Sequence, residues 1–118
     1  MRVLEAAFIA YPASDLARAR QFYETVLNLR MTMFSEELRW VEYDLGAGVT
    51  LGVGQYEGWL PCEKGPMVAL EVDDFDQSIA ALRQTQTHFH MEPVDTPVCR
   101  FAIIHDPEGN ALMIHKRK

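Results

Sequence analysis

The chain has 118 residues, 48% apolar and 24% charged, the profile of a globular domain long enough to bury a core. A net charge of −6 and a pI near 5.1 argue against nucleic acid as a partner, because phosphates repel an acidic surface. No apolar segment reaches bilayer length, and the opening residues MRVLEAAFIAYPASDL lack the apolar run and cleavage site of a secretory leader, so a cytoplasmic location and no membrane partner are expected.

In chain order, VLEAAFIAY (3–11) is a β-branched and aromatic run and predicts a strand. Ser14 or Asp15 then supplies an N-cap, and Leu16, Ala19, Phe22, Tyr23, Val26 and Leu27 recur at helical spacing to form one apolar face. Strands are predicted near 30–35, 38–45 and 48–55. QYEGWLPCEKGP (55–66) is broken by Gly58, Pro61, Gly65 and Pro66 and reads as a linker. MVALEV (67–72) is the next strand. Asp74 caps the second helix, with Gln77 as its capping-box partner and Phe75, Ile79 and Leu82 as its buried stripe. Strands near 88–94, 98–105 and 111–116 complete the chain. In HDPEGN (105–110), Pro107 presets the first corner of a type I turn, Gly109 is free to take positive φ and Asn110 tolerates nearly the same. Cys62 and Cys99 form no CxxC pair, which predicts two reduced thiols.

The order is therefore βαβββ twice. Asp15 and Asp74 lie 59 residues apart, and RWVEYDLGAGVTLGV (39–53) aligns with RFAIIHDPEGNALMI (100–114) at an offset of 61. Arg39 then meets Arg100, Trp40 meets Phe101, Gly48 meets Gly109 and Leu51 meets Leu112. Such internal similarity is the mark of a repeated structural unit. Four strands separate the two helices, against two in a ferredoxin-like domain. The expected boundaries are module one at 1–57, a linker at about 55–66 and module two at 66–118.

The duplicated layout, the phrase SDLARARQFYETVLNL and the turn DPEGNALMI together resemble the vicinal oxygen chelate superfamily of glyoxalases, bleomycin resistance proteins and extradiol dioxygenases, over nearly the whole chain. The resemblance implies an α+β fold in which two βαβββ modules form a cupped mixed β-sheet with helices on the outer face, commonly as a homodimer. In metal-binding members each module offers one ligand from its first strand and one from its last. Carried onto this chain, those positions are Phe8 and Met67, seven residues before the helix-capping aspartates, and Met113 with its repeat partner Gly52. Phenylalanine and glycine side chains offer no donor, and a thioether suits copper(I) better than a hard divalent ion. The expectation is accordingly no metal and no cofactor, and a binder in preference to an enzyme that needs a Lewis acid.

Other residues have plainer roles to set beside functional ones. His115 lies two residues beyond Met113, and Glu71 shares a face with Met67. They read as a shifted acid–base pair, an anchor for a polar ligand group, or solvated strand ends. His88 and His90 share one strand face; an exposed edge strand explains them as well as a metal does, and His105 is expected to hydrogen-bond locally. GVTLGVG (48–54) sits on a strand and opens no helix, so it is no dinucleotide loop. Gly52 and Gly54 are read instead as leaving room for a ligand or a facing strand. Trp40 lines either the cup or the helix-facing core. Tyr56 and Trp59 roof the pocket, join a dimer contact or pack the module junction. The sequence thus predicts a metal-free binder of a small molecule through Phe8, Trp40, Gly52, Trp59, Met67, Glu71, Met113 and His115. The competing accounts are a metal-dependent lyase or dioxygenase with displaced ligands such as Glu71, His90 or His115, and a non-binding structural or regulatory partner.

Overall fold

The structure, a computed structural model, describes all residues from Met1 to Lys118. The chain divides into two units, Met1–Pro61 (module one) and Cys62–Lys118 (module two). Module one contains β1 (Ile9–Pro12), α1 (Leu16–Gln21) continued by a π-helical turn (Phe22–Val26), β2 (Arg30–Ser35), β3 (Trp40–Asp44) and β4 (Thr50–Gly54). Module two contains β5 (Val68–Glu71), α2 (Phe75–Gln84), β6 (Phe89–Asp95), β7 (Cys99–His105) and β8 (Ala111–Arg117). The fold is α+β, two βαβββ modules each with a four-stranded mixed sheet. No helix is long and apolar enough to cross a membrane.

The sheets repeat one topology. Strand order is β1-β4-β3-β2 in module one and β5-β8-β7-β6 in module two. The parallel pairs share a register: Ala10 faces Gly52, and Ala69 faces Met113. Alternation then sorts the side chains. Tyr11, Val41, Tyr43, Leu51 and Val53 form the buried face of module one, and Val68, Ala102, Ile104, Leu112 and Ile114 that of module two. Each helix supplies the covering layer through Leu16, Ala19, Phe22 and Tyr23, or Phe75, Ile79 and Leu82.

Local chemistry explains the helix ends. Asp15 accepts a hydrogen bond from the Arg18 N–H (3.1 Å), and Asp74 accepts from that of Gln77 (3.0 Å), each satisfying an otherwise orphaned donor. The Gln77 side chain does not close the expected capping box; the Asp74 N–H donates to the Asp73 carboxylate instead (2.8 Å). The first helix widens into a π turn, in which the Leu27 N–H reaches the Phe22 carbonyl five residues back (3.0 Å). Asn28 then takes a left-handed φ of 55° and stops it.

The first predicted strand is corrected. Pairing begins at Ile9, and Val3 and Leu4 stay exposed. The parallel partner of β1 extends back only to Thr50, before which Gly46, Ala47 and Gly48 carry positive φ and turn the chain away. Residues 3–8 therefore have no strand to pair with.

The turn before β8 follows its expected mechanism at Gly109, whose φ is 94°. Asn110 does not share the positive φ. It is buried, and its side chain donates to Asp106 Oδ2 (3.0 Å) while its N–H donates to Asp106 Oδ1 (2.8 Å). Its side-chain oxygen accepts from the Cys62 N–H (3.3 Å), tying the end of the linker to the turn. Both cysteines are free thiols.

Candidate functional site

In each module the sheet face turned away from the helix carries the candidate residues. In module one that face is aromatic. Trp40 opens β3, and its neighbours Val41 and Tyr43 point to the core, so the indole lies on the opposite side. The ring lies flat on Gly52 and Gly54. A Cβ on Gly52 would collide with Trp40 Cζ2 and Cη2, and one on Gly54 would come within 2.6 Å of Cε3. This corrects the expectation of free space there: the room left by the two glycines is filled by the chain's own tryptophan, which accounts for their burial in β4.

Phe8 is 49% exposed and meets Trp40 edge-on at 5.4 Å between ring centroids. Tyr56 stacks beside Trp40 at 6.5 Å, and Trp59 stacks on Tyr56 at 6.1 Å, so Trp59 continues an aromatic row. The row is pinned by polar contacts at its edges: Trp40 Nε1–H donates to Glu42 Oε1 (3.0 Å), and the Tyr56 hydroxyl donates to the Leu38 carbonyl (2.7 Å). Glu42 was missed from sequence, although its spacing of two from Trp40 on a strand puts both on one face.

Module two offers a different surface. Met67 precedes β5, is 39% exposed and shares the outward parity of Ala69 and Glu71. Met113 faces Ala69 on one side and Ile103 on the other. The register also places Glu71 directly opposite His115, and His115 opposite Phe101. Glu71 Oε1 and His115 Nδ1 are 2.6 Å apart, and Glu71 Oε2 accepts the Arg117 N–H at 2.8 Å. The backbone donor first, and the histidine second, hold the Glu71 carboxyl below the usual carboxylate range. The structure therefore joins the predicted pair, and Phe101 is the neighbour that sequence reasoning left out.

A second histidine cluster lies at the β6 edge. The His105 ring contacts those of His88 and His90 at 4.8 and 5.0 Å. The His105 N–H bonds the His88 carbonyl (3.0 Å), while its ring Nε2 is buried with no hydrogen-bond partner. Glu63 Oε2 stands 4.0 Å away. Burial first, and the two neighbouring imidazoles next, push His105 below the ordinary histidine range.

The superfamily's metal chemistry requires several nitrogen, oxygen or thiolate donors. Phe8, Gly52, Met67 and Met113 supply none, and the space above Gly52 is closed by Trp40. No three His, Cys, Asp or Glu side chains are grouped so as to hold an ion. The donor set does not fit the metal that the resemblance implies.

No curated protein matches the chain. Among solved structures, TnmS3, an antibiotic binding protein from Streptomyces sp. CB03234, matches with a TM-score of 0.84 at 22% identity, covering 100% of this chain and 99% of that one. A glyoxalase/dioxygenase from Nostoc punctiforme matches with a TM-score of 0.80 at 16% identity, covering 100% and 99%. A glyoxalase/bleomycin resistance protein/dioxygenase from Nocardioides matches at 0.78 and 19%, covering 99% and 85%. At these identities the likeness establishes the fold. The family profile goes further, matching residues 6–114, and by it the chain belongs to the Glyoxalase/Bleomycin resistance protein/Dioxygenase superfamily.

Proposed function

We propose that the protein is a metal-free binder of a small molecule. Its binding surface is the outward sheet face of each module, with Phe8, Trp40 and Trp59 in module one and Met67, Glu71, Met113 and His115 in module two. The observation that carries this reading is the donor-free set Phe8, Gly52, Met67 and Met113 at the superfamily's ligand positions. Phe8 and Met67 leave apolar surface exposed, and thioethers adapt to irregular ligands. The likeness to TnmS3, an antibiotic binding protein, supports small-molecule binding as a use of this fold. We further propose a cytoplasmic homodimer, the assembly common in the superfamily.

Two measurements test the reading. Protein purified without chelator should contain far less than one transition metal ion per chain by elemental analysis; stoichiometric metal would overturn it in favour of an enzyme with displaced ligands. In a titration with a library of apolar and aromatic compounds, some members should quench or shift tryptophan emission, because Trp40 and Trp59 lie in the aromatic row. Complete silence, together with no uptake of the same compounds in equilibrium dialysis, would favour a structural or regulatory partner. Sedimentation should show a dimer.

A further inference from the structure

Resting on the binding reading above, the geometry of module two narrows the ligand's chemistry. Its outward face carries Met67, Ala69, Phe101 and Met113 around an engaged polar pair, Glu71 and His115, with Arg117 of the same parity next along the strand. Both Glu71 oxygens are committed, one to His115 Nδ1 and one to the Arg117 N–H. An anionic carboxylate can only accept, so the shared proton resides on Nδ1. In the neutral imidazole Nε2 is then a bare acceptor. It has no hydrogen-bond partner in the protein. Nor is it sealed off: the side chain keeps 21% of its surface exposed, and the buried partnerless ring nitrogen belongs to His105.

We propose that this face is a binding site for a neutral aromatic hydroxyl compound, its ring lying against Phe101 and Met113 and its O–H donating to His115 Nε2. Each part excludes a competitor. A carboxylate would point its lone pairs at that of Nε2, beside the Glu71 charge. An ammonium could donate, but it would lose hydration beside Phe101 and Met113 and would meet the like charge of Arg117, which already acts on Glu71. An ether of the same shape would leave Nε2 without a partner.

Equilibrium dialysis at neutral pH with β-naphthol, its methyl ether and the naphthylmethylammonium cation tests the proposal. β-Naphthol should bind about tenfold more tightly than the ether and more tightly than the cation. His115→Leu should keep the affinity for the ether and lose the preference. Glu71→Gln should lose the preference by another route: the amide oxygen accepts from the Arg117 N–H, its NH₂ donates to Nδ1, and the imidazole proton moves to Nε2. Nitrogen-15 NMR of His115 should accordingly report a proton on Nδ1 in the native protein and on Nε2 in Glu71→Gln. Equal binding of β-naphthol and ether, tighter binding of the cation, a native proton on Nε2, or no binding of any probe overturns the proposal. The broader reading fails separately, through stoichiometric metal or through a whole library that neither alters tryptophan emission nor is retained in dialysis.

Discussion

The two modules share a strand order and a register, yet their outward faces have diverged. At equivalent places in the repeat, Gly52 stands where Met113 stands and Trp40 where Phe101 stands. In module one a large ring has been laid over missing side chains. In module two a medium-sized side chain occupies the strand, and a hydrogen-bonded histidine lies beside it. The buried faces diverged less, since Leu51 and Leu112 are each fully buried at equivalent positions. Close packing restrains a core face, whereas an outward face is free to be refitted for binding.

The strongest way to test this equivalence is to cut both cores alike. Leu51→Ala and Leu112→Ala should each destabilise by about 3 kcal/mol in urea titrations; a large imbalance would mean that the modules are not energetic equals. The outward faces should answer unequally. Gly52→Ala drives a methyl group into the Trp40 ring and should cost about 2 kcal/mol. In a Trp40→Ala background that cost should nearly vanish, because the clash is with one ring. Met113→Ala, at a half-buried site, should cost about 1 kcal/mol.

A smaller contrast lies within the cores. Tyr43 donates to Glu24 (2.8 Å), which also binds Arg20 (2.8 Å). Burial first, and then Glu24, push the Tyr43 phenol well above its usual pKa. The equivalent residue in module two is Ile104. Tyr43→Phe should therefore cost about 1 kcal/mol, leaving module one without a network that module two never had.

The smallest expected effect belongs to module two. The lowered pKa of His105 means that the unfolded chain binds a proton more readily than the folded one. Its contribution to stability is complete above the unfolded value of about 6.5 and is lost as pH falls toward and through the depressed folded value. Melting temperature should drop slightly from pH 7.5 to pH 5, and less so in His105→Phe. An unchanged acid response in that variant would remove His105 as the cause.

Much of this architecture was legible in the sequence, for a physical reason. Alternation in WVEYD and the helical recurrence of Phe75, Ile79 and Leu82 directly encode burial, and capping by Asp15 and Asp74 is a local interaction. The pairing of Glu71 with His115 was legible because parity survives small errors in strand ends. Features requiring a partner far along the chain were not. Residues 3–8 look like a strand and lack only a neighbour. Gly52 and Gly54 look like open space until Trp40 is placed over them. His105 shows neither its burial nor its histidine neighbours in its letters, because a strand pairing brings them together.

The aromatic row has an optical consequence. Both tryptophans and all four tyrosines of the chain fall within Met1–Pro61. Absorbance and emission excited near 280 nm thus come from that unit alone, and an event confined to Cys62–Lys118 would go unseen unless it disturbed its neighbour. A chromophore introduced at Phe101 would give the silent half its own signal and allow the two to be followed independently in one sample.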